Sequence, residues 1–418
     1  MALKVVTVPP RLDDERALEF ARRARTAGAD VLEVRTDLAD TAMNLRPLSD
    51  VLPLLVSERG TPLPRAWLDV ARFADVEVGT RAPPTRERDR GGLRPLLSHH
   101  AGAPLTTAAA VSFWRSQEVP AHALVKHVEP LGEPGTASRL LETQRALGEL
   151  FGRERVTVLG MGPFALPFRA VLAAHNALDY LALESGFAAA PGQRLLADAV
   201  RADRAAAPSP RLGILGTHIA GSRSPRIHPP PFDRIDLPED ADPAPLVQSL
   251  TPWYRGFAVT RPFKRRIAEW LGGEDEAVNT LYLRAGQWRG TNTDVAGARA
   301  VLEALREREV TVLGGGGVAP ALERAARELD VALRIVRRAE AEGLHLQGAV
   351  VWTWPPELEA PALSLEGARV AVISYGAAGR TVAGQIRARG GEPMMLGARW
   401  FIRQARVQRA LWAAVEAS

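Results

Sequence analysis

The 418-residue sequence has no cysteine, few lysines and few asparagines. Without cysteine there can be no disulfide, no thiolate zinc site and no cysteine nucleophile. The eight histidines form no His-Glu-x-x-His pattern, so no metal is expected. Long hydrophobic runs are missing too. No stretch is apolar enough to cross a bilayer, and no charged-then-apolar leader follows Met1. A membrane is therefore not an expected partner, and a cytoplasmic location is expected. Basic runs with interleaved aromatics are also absent. The net charge of +5 comes from arginines scattered among Asp and Glu, which argues against a nucleic-acid surface.

What is present is a long globular chain. Hydrophobic residues make up 46% and charged residues 24%, and at roughly 100 to 200 residues per domain two or three domains are expected. Of the 53 basic residues only Lys4, Lys126 and Lys264 are lysine. Arginine stays protonated in proteins and cannot serve as a neutral amine. A lysine kept against this bias marks a place where a titratable amine is useful. Lys264 lies in a polar stretch, residues 256 to 297, that also holds two of the four asparagines, Asn279 and Asn292.

From residue 4 to 185 short apolar runs recur, with helical stretches between them. The runs are Lys4–Pro9, Val31–Asp37, Leu52–Arg59, Asp75–Thr80, Pro95–His100, Leu124–Glu129, Val156–Gly162 and Tyr180–Ser185. Eight strands alternating with helices predict an α/β fold, a (β/α)8 barrel with trimmed helices or loops. Chemistry in such barrels gathers at the carboxyl ends of the strands. Those ends carry Glu33, Arg35 and Asp37, then Arg59, His99-His100, Lys126, Met161-Gly162 and Arg169, and finally Pro191-Gly192-Gln193. A strand lysine in a barrel mouth suits a Schiff base with a ketone, beside a histidine that moves the α-proton. An ion pair with a strand carboxylate is the other reading of Lys126. Neighbouring strand residues face opposite ways, so only one of His99 and His100 can face the mouth.

Val200–Pro210 reads as a helix end and short linker. A strand at Leu212–Gly216 follows, then a polar turn with Ser222 and Ser224, which can bind one carboxylate together. Gly256–Thr260 reads as a strand, Lys264 as the first turn of a helix, and Asp294 as the start of another, where a helix cap is the alternative role. Residues 309–338 form a strand, a turn Gly314-Gly-Gly316-Gly317, a helix and a second strand, a unit suited to a pyrophosphate. That second strand ends in Arg337-Arg338 with no acid at its tip. Arginines there suit the 2′-phosphate of NADP, unless they are simply surface residues.

Two resemblances follow from these motifs. Glu33-x-Arg35-x-Asp, the strand-end Arg59, Ser98-x-His100, Val-Lys126, Met161-Gly162 with Arg169, and Pro-Gly-Gln193 resemble type I 3-dehydroquinate dehydratase. The resemblance implies Lys126 as the Schiff-base lysine and His100 as general acid/base. It implies that Glu33, Arg35, Arg59, Arg169 and Gln193 grip the substrate. Where that family has Glu-Gly-Gly after the third-strand arginine, its glutamate orienting the histidine, this chain reads Gly60-Thr-Pro-Leu-Pro-Arg65. Ala189 stands where the family offers a serine.

Ser222-x-Ser224-Pro, Val-Thr260-x-Pro-x-Lys264, Ala-Val-Asn279-Thr, Asn-Thr-Asp294-x-x-Gly, the glycine turn, Ser-Tyr375 and Gln404 followed by Trp412 resemble shikimate dehydrogenase. This implies Ser222, Ser224 and Tyr375 at the substrate carboxylate, Lys264 and Asp294 as the catalytic pair, and Thr260, Asn279 and Gln404 on the ring hydroxyls. Gly314, Gly316, Gly317, Arg337 and Arg338 would hold NADP(H). The family's Asn-Ala-Thr-Pro loop is Trp352-Thr-Trp354-Pro here, with two tryptophans on the expected nicotinamide path.

Together the halves resemble the fused plant enzyme, with 3-dehydroquinate, 3-dehydroshikimate and shikimate as the implied small molecules. The expected domains are a barrel (1–205), a substrate lobe (210–298, with 394–418 packing back) and a Rossmann-type lobe (299–393). A non-catalytic sensor of the same metabolites is the alternative. The sequence carries no signal of oligomeric state.

Overall fold

The computed structural model describes residues 1–79, 92–133, 137–190, 193–203, 210–273 and 277–414. Thr80, Pro191, Gly192 and most of the linker, all used in the sequence reading, lie outside these. The fold is α/β. Two compact units divide the chain. One comprises Met1–Gly213, His218–Pro225 and Pro229–Tyr254; the other comprises Ile214–Thr217, Arg226–His228 and Arg255–Ser418. Residues 229–254 thus group with the first unit, whereas the linker composition suggested a boundary near 205.

In the first unit the parallel strands are β1 (Leu3–Thr7), β2 (Val31–Arg35), β3 (Leu54–Ser57), β4 (Phe73–Glu77), β5 (Arg94–His100), β6 (Leu124–Pro130), β7 (Val156–Met161) and β8 (Leu178–Ala182). With a two-residue β9 (Arg194–Leu195) their order is β7-β6-β5-β4-β3-β2-β1-β8-β9. The sheet curls on itself. Val5, Val31, Leu55, Phe73, Leu96, Leu124, Leu159 and Leu178, one from each of the eight strands, meet in a single buried cluster. Just before β8, Ala177 N–H donates to Val156 O at 2.8 Å at the start of β7. Among the described residues no ladder joins β7 to β8, so the sheet is an open, half-barrel form of the expected architecture.

Local chemistry explains the trimmed helices. The helix Asp14–Ala27 has a full apolar stripe (Ala17, Phe20, Ala21, Ala24), an Asp13 side chain accepting from Arg16 N–H, and Gly28 at φ 99° to end it. The connections flanking β3 hold only four-residue helices, Arg46–Ser49 and Arg65–Leu68. Pro47, Pro53, Pro62 and Pro64 punctuate both and leave no room for longer ones.

Strands β10 (Arg211–Gly216) and β12 (Tyr254–Val259) straddle the division between units, and β11 (Phe232–Asp236) belongs to the first. In the second unit β12, β13 (Thr280–Arg284) and β14 (Gln287–Thr291) are antiparallel neighbours. A separate parallel sheet follows, formed by β15 (Glu309–Leu313), β16 (Ala332–Val336), β17 (Gly348–Trp352), β18 (Ala368–Val372) and β19 (Glu392–Met395). Its order, β16-β15-β17-β18-β19, reverses direction between β15 and β17. Ligands of open α/β sheets bind beyond the carboxyl ends of the strands at such a reversal.

Candidate active sites

Residues of β2, β5, β6, β7 and β8, with Arg59 just after β3, line one cavity of about 300 Å³; they include Glu33, Arg35, His100, Lys126, Met161 and Tyr180, with Arg169 and Gln193 beside them. Lys126 projects from β6 and is 3% exposed. Its Nζ donates to Asp75 Oδ2 on β4, and Arg59 Nη2 donates to the same oxygen at 2.7 Å. Burial pushes the Lys126 amine below its ordinary value, against the pull of Asp75. Burial would raise the Asp75 carboxyl, but Lys126 and Arg59 together hold it well below the usual carboxylate range. Removing one partner of a buried pair typically costs about 3–5 kcal/mol. Both readings of Lys126 thus have their residues in place: it is paired with a strand carboxylate, and it lines the cavity.

The acid missing after Arg59 has a counterpart on β4. Glu77 Oε2 pairs with His100 Nδ1 at 2.7 Å, and Glu77 Oε1 accepts from His100 N–H at 2.7 Å. Burial favours a neutral Glu77; the bonds from His100 outweigh it and keep the carboxyl below its ordinary value. His100 lines the cavity, while His99 stacks on Phe113 with ring centroids 3.7 Å apart.

The substrate-grip candidates differ in how much of their bonding is already used. Glu33 accepts from Thr7 Oγ1 (2.6 Å) and Ser57 Oγ (2.7 Å). Arg35 grips Asp37 through Nε and Nη2 at 3.0 and 2.7 Å. Gln193 Oε1 accepts from Ala189 N–H at 2.8 Å. Arg169 is 3% exposed, and its Nε donates to Gly160 O, but its buried Nη1 has no partner among the described residues. Burial brings this guanidinium down to about 10, despite Asp179 nearby. A buried donor left over on a desolvated cation is what an anionic ligand would satisfy.

In the second unit Lys264 opens the helix Lys264–Leu271, and Asp294 opens the helix Asp294–Leu305. Lys264 Nζ donates to Asp294 Oδ2 at 2.5 Å, and Trp400 Nε1 donates to Asp294 Oδ1 at 3.2 Å. Asn279 is fully buried; its Oδ1 accepts from Thr293 N–H (2.7 Å), Thr293 Oγ1 and Thr280 Oγ1 (both 2.9 Å), while its Nδ2 has no partner among the described residues. Thr260 N–H donates to Leu215 O at 2.9 Å. Gln404 is half-buried on the helix Gly397–Ala414, and one turn later Gln408 reaches Thr280 Oγ1 at 3.1 Å. Tyr375 stacks on Phe401 with centroids 5.1 Å apart. In the first unit Ser222 Oγ accepts from Ser224 N–H at 3.3 Å, and Ser224 is buried.

The glycine turn lies at the sheet reversal. Gly314 has φ 116°, and a Cβ there would lie 2.3 Å from Thr353 Oγ1 and 2.9 Å from the Trp354 ring. Only glycine fits. Space around Gly316 and Gly317 is open. Trp352 and Trp354 are 1% and 6% exposed, in the core beneath the turn, with Trp352 Nε1 donating to Trp354 O. Both pack in the buried cluster of this lobe. The Arg337 side chain approaches Gly315, while Arg338 Nη2 donates to Glu359 O at 2.5 Å. Glu340, just past the strand tip, folds back to accept from Arg337 N–H at 3.0 Å.

No protein-family model matches the chain. A shikimate dehydrogenase (NADP(+)) of Bordetella petrii is 31% identical over 208 residues, covering 39% of this chain and 71% of that protein. The chain belongs to the shikimate dehydrogenase family. A second shikimate dehydrogenase (NADP(+)), from Exiguobacterium sp., is 33% identical over 149 residues, 31% of this chain and 57% of that protein. Among solved structures, the dehydroquinate dehydratase and shikimate dehydrogenase of S. pombe covers 99% of this chain and 96% of its own, at 18% identity and TM-score 0.37.

Family membership makes the residues that the shikimate dehydrogenase motifs did not name stand out. Gln408 and Trp400 touch the Asn279 and Asp294 region from the last helix. Asp75, Glu77 and Tyr180 in the other unit were equally missed. The alternation Asp75-Val-Glu77 on a strand was the available signal, because residues two apart share a face.

Proposed function

We propose that the chain is a bifunctional shikimate-pathway enzyme. One unit would dehydrate 3-dehydroquinate to 3-dehydroshikimate through an imine at Lys126. The other would reduce that product to shikimate with NADPH. The observation that carries the first activity is a desolvated lysine in a cavity that also holds a carboxylate-paired histidine and an arginine with an unused donor. Lys126 would attack the ketone once its amine is neutral, which burial favours. The imine would draw electrons from the neighbouring carbon. His100, aimed by Glu77, would take the α-proton there and return it to the departing hydroxide. Arg169 would hold the substrate carboxylate.

For the second activity, NADPH supplies the hydride when bound. The residues fit such a cofactor: open space at Gly316 and Gly317, Arg337 beside Gly315, and a carboxylate, Glu340, turned back onto backbone. Lys264 and Asp294 would hold and pass the proton at the reacting ring oxygen. Asn279 Nδ2, unpartnered among the described residues, would donate to a ring hydroxyl. Glu77 supplies an acid for His100 where the Glu-Gly-Gly acid is missing, which supports a catalytic site over a sensor.

The test is chemical trapping. Borohydride added with 3-dehydroshikimate should leave a reduced adduct on the peptide containing Lys126, read by mass spectrometry. Dehydration without any adduct would replace the imine with an enolate mechanism.

A further inference from the structure

Tyr180 is one of only four tyrosines in the chain and stands third in β8. It lines the same cavity as Lys126, His100 and Arg169. The side chain is 6% exposed, and its buried hydroxyl has no hydrogen-bond partner among the described residues. Lys126 Nζ lies 5.0 Å from the centre of its ring. The Glu33 and Asp75 carboxylates and the Arg59 guanidinium act on it electrostatically.

A buried phenol with no partner is costly, by the price of an unmade hydrogen bond. Packing alone would be served by phenylalanine, which has the same ring and no such penalty. Burial pushes the Tyr180 phenol well above its ordinary value, and Glu33 and Asp75 push it further. The group therefore stays a donor at neutral pH. What it lacks is an acceptor, and the cavity beside the lysine is where a ligand oxygen would bring one.

We infer that Tyr180 donates its proton to the carbonyl oxygen of the ketone as Lys126 adds to it. This rests on the dehydratase reading above. The nitrogen of neutral Lys126 forms a bond to the carbonyl carbon, and the C=O π pair moves onto oxygen. That oxygen takes the phenol proton and becomes the carbinolamine hydroxyl. The new ammonium nitrogen returns one proton to the phenolate, so Tyr180 ends as it began and no other reactant is needed.

Tyr180→Phe removes the hydroxyl and keeps the ring. The experiment is rapid-quench borohydride trapping on Lys126 at saturating 3-dehydroquinate, with steady-state dehydration run in parallel. Losing a positioned proton donor typically slows the step about a hundredfold or more. The trapping rate and kcat should fall together by at least ~10-fold. A smaller fall, or a raised KM with an unchanged trapping rate, would overturn the inference and leave Tyr180 as packing or as a binding group. Tyr180→Leu, checked by thermal melting with Tyr180→Phe, guards against misfolding: if both melt like the wild type and both turn over normally, the proposal is also lost. Wild-type protein with no dehydration at all would instead sink the dehydratase reading itself.

Discussion

Lys126 and Lys264 were legible at the residue scale because arginine has replaced lysine nearly everywhere else. Their partners were less so. Asp294 sat inside a motif, but Asp75 and Glu77 are brought to Lys126 and His100 only by register. Glu77 pairs with Ser98 across β4 and β5, and Ser98 with Lys126 across β5 and β6. No spacing along the chain encodes that row. Arg337 and Arg338 were indistinguishable in sequence, and the structure separates them: Arg337 is beside the glycine turn, while Arg338 is tied to Glu359. Arg337→Ala should therefore weaken NADPH binding by about ten- to a hundredfold, the worth of one charge-assisted hydrogen bond, and leave NADH binding little changed. Arg338→Ala should have the smaller effect. Dissociation constants for both cofactors on both variants decide this, and equal NADH and NADPH affinity in the wild type would remove the phosphate reading altogether.

Most strands and helices were readable from apolar periodicity, while the ends shifted. The fourth strand was expected over Asp75–Thr80 and is Phe73–Glu77. Asp75 is a poor strand former, and Phe73-Ala74 carry the apolar signal instead. What could not be read at the element scale was why glycines recur between residues 256 and 297. The last helix, Gly397–Ala414, explains two of them. A Cβ on Gly256 would lie 2.3 Å from the Trp412 ring, and one on Gly297 would lie 2.8 Å from Trp400. Gly256→Ala should destabilise the second unit by about 1–3 kcal/mol through overpacking. Pairing it with Trp412→Leu should recover part of that loss, so the two changes should not add; strict additivity in urea unfolding would show that the helix does not bear on Gly256.

The same helix sets a pH dependence. His228 is 1% exposed, with its ring centroid 4.8 Å from that of Trp412. Burial first, and then the Arg409 charge, lower its pKa from 6.5 to about 4. Because the folded value is depressed, the unfolded chain takes up the proton first. Stability from this group is full above 6.5 and is lost as the pH falls toward 4, by on the order of 3 kcal/mol. His228→Gln should flatten that part of the wild-type stability curve. Parallel curves for the two proteins would contradict a neutral, buried His228.

For the whole molecule, the α/β class and the likeness to shikimate dehydrogenases were visible in one dimension, because each rests on local alternation or on short motifs. The open edge between β7 and β8 and the grouping of residues 229–254 were not, because both depend on long-range packing. The central claim is that one chain carries out two consecutive reactions with two different lysines. Its most direct measurement gives the purified protein 3-dehydroquinate and NADPH and follows NADPH loss together with shikimate formation. The wild type should consume NADPH and make shikimate. Lys126→Arg should do neither until 3-dehydroshikimate is added, because a guanidinium cannot form the imine. Lys264→Arg should accumulate 3-dehydroshikimate and spare the NADPH, its reduction slowed by about a hundredfold or more. Wild-type protein that oxidises no NADPH with either substrate, or a Lys126→Arg variant that still converts 3-dehydroquinate, would contradict the account.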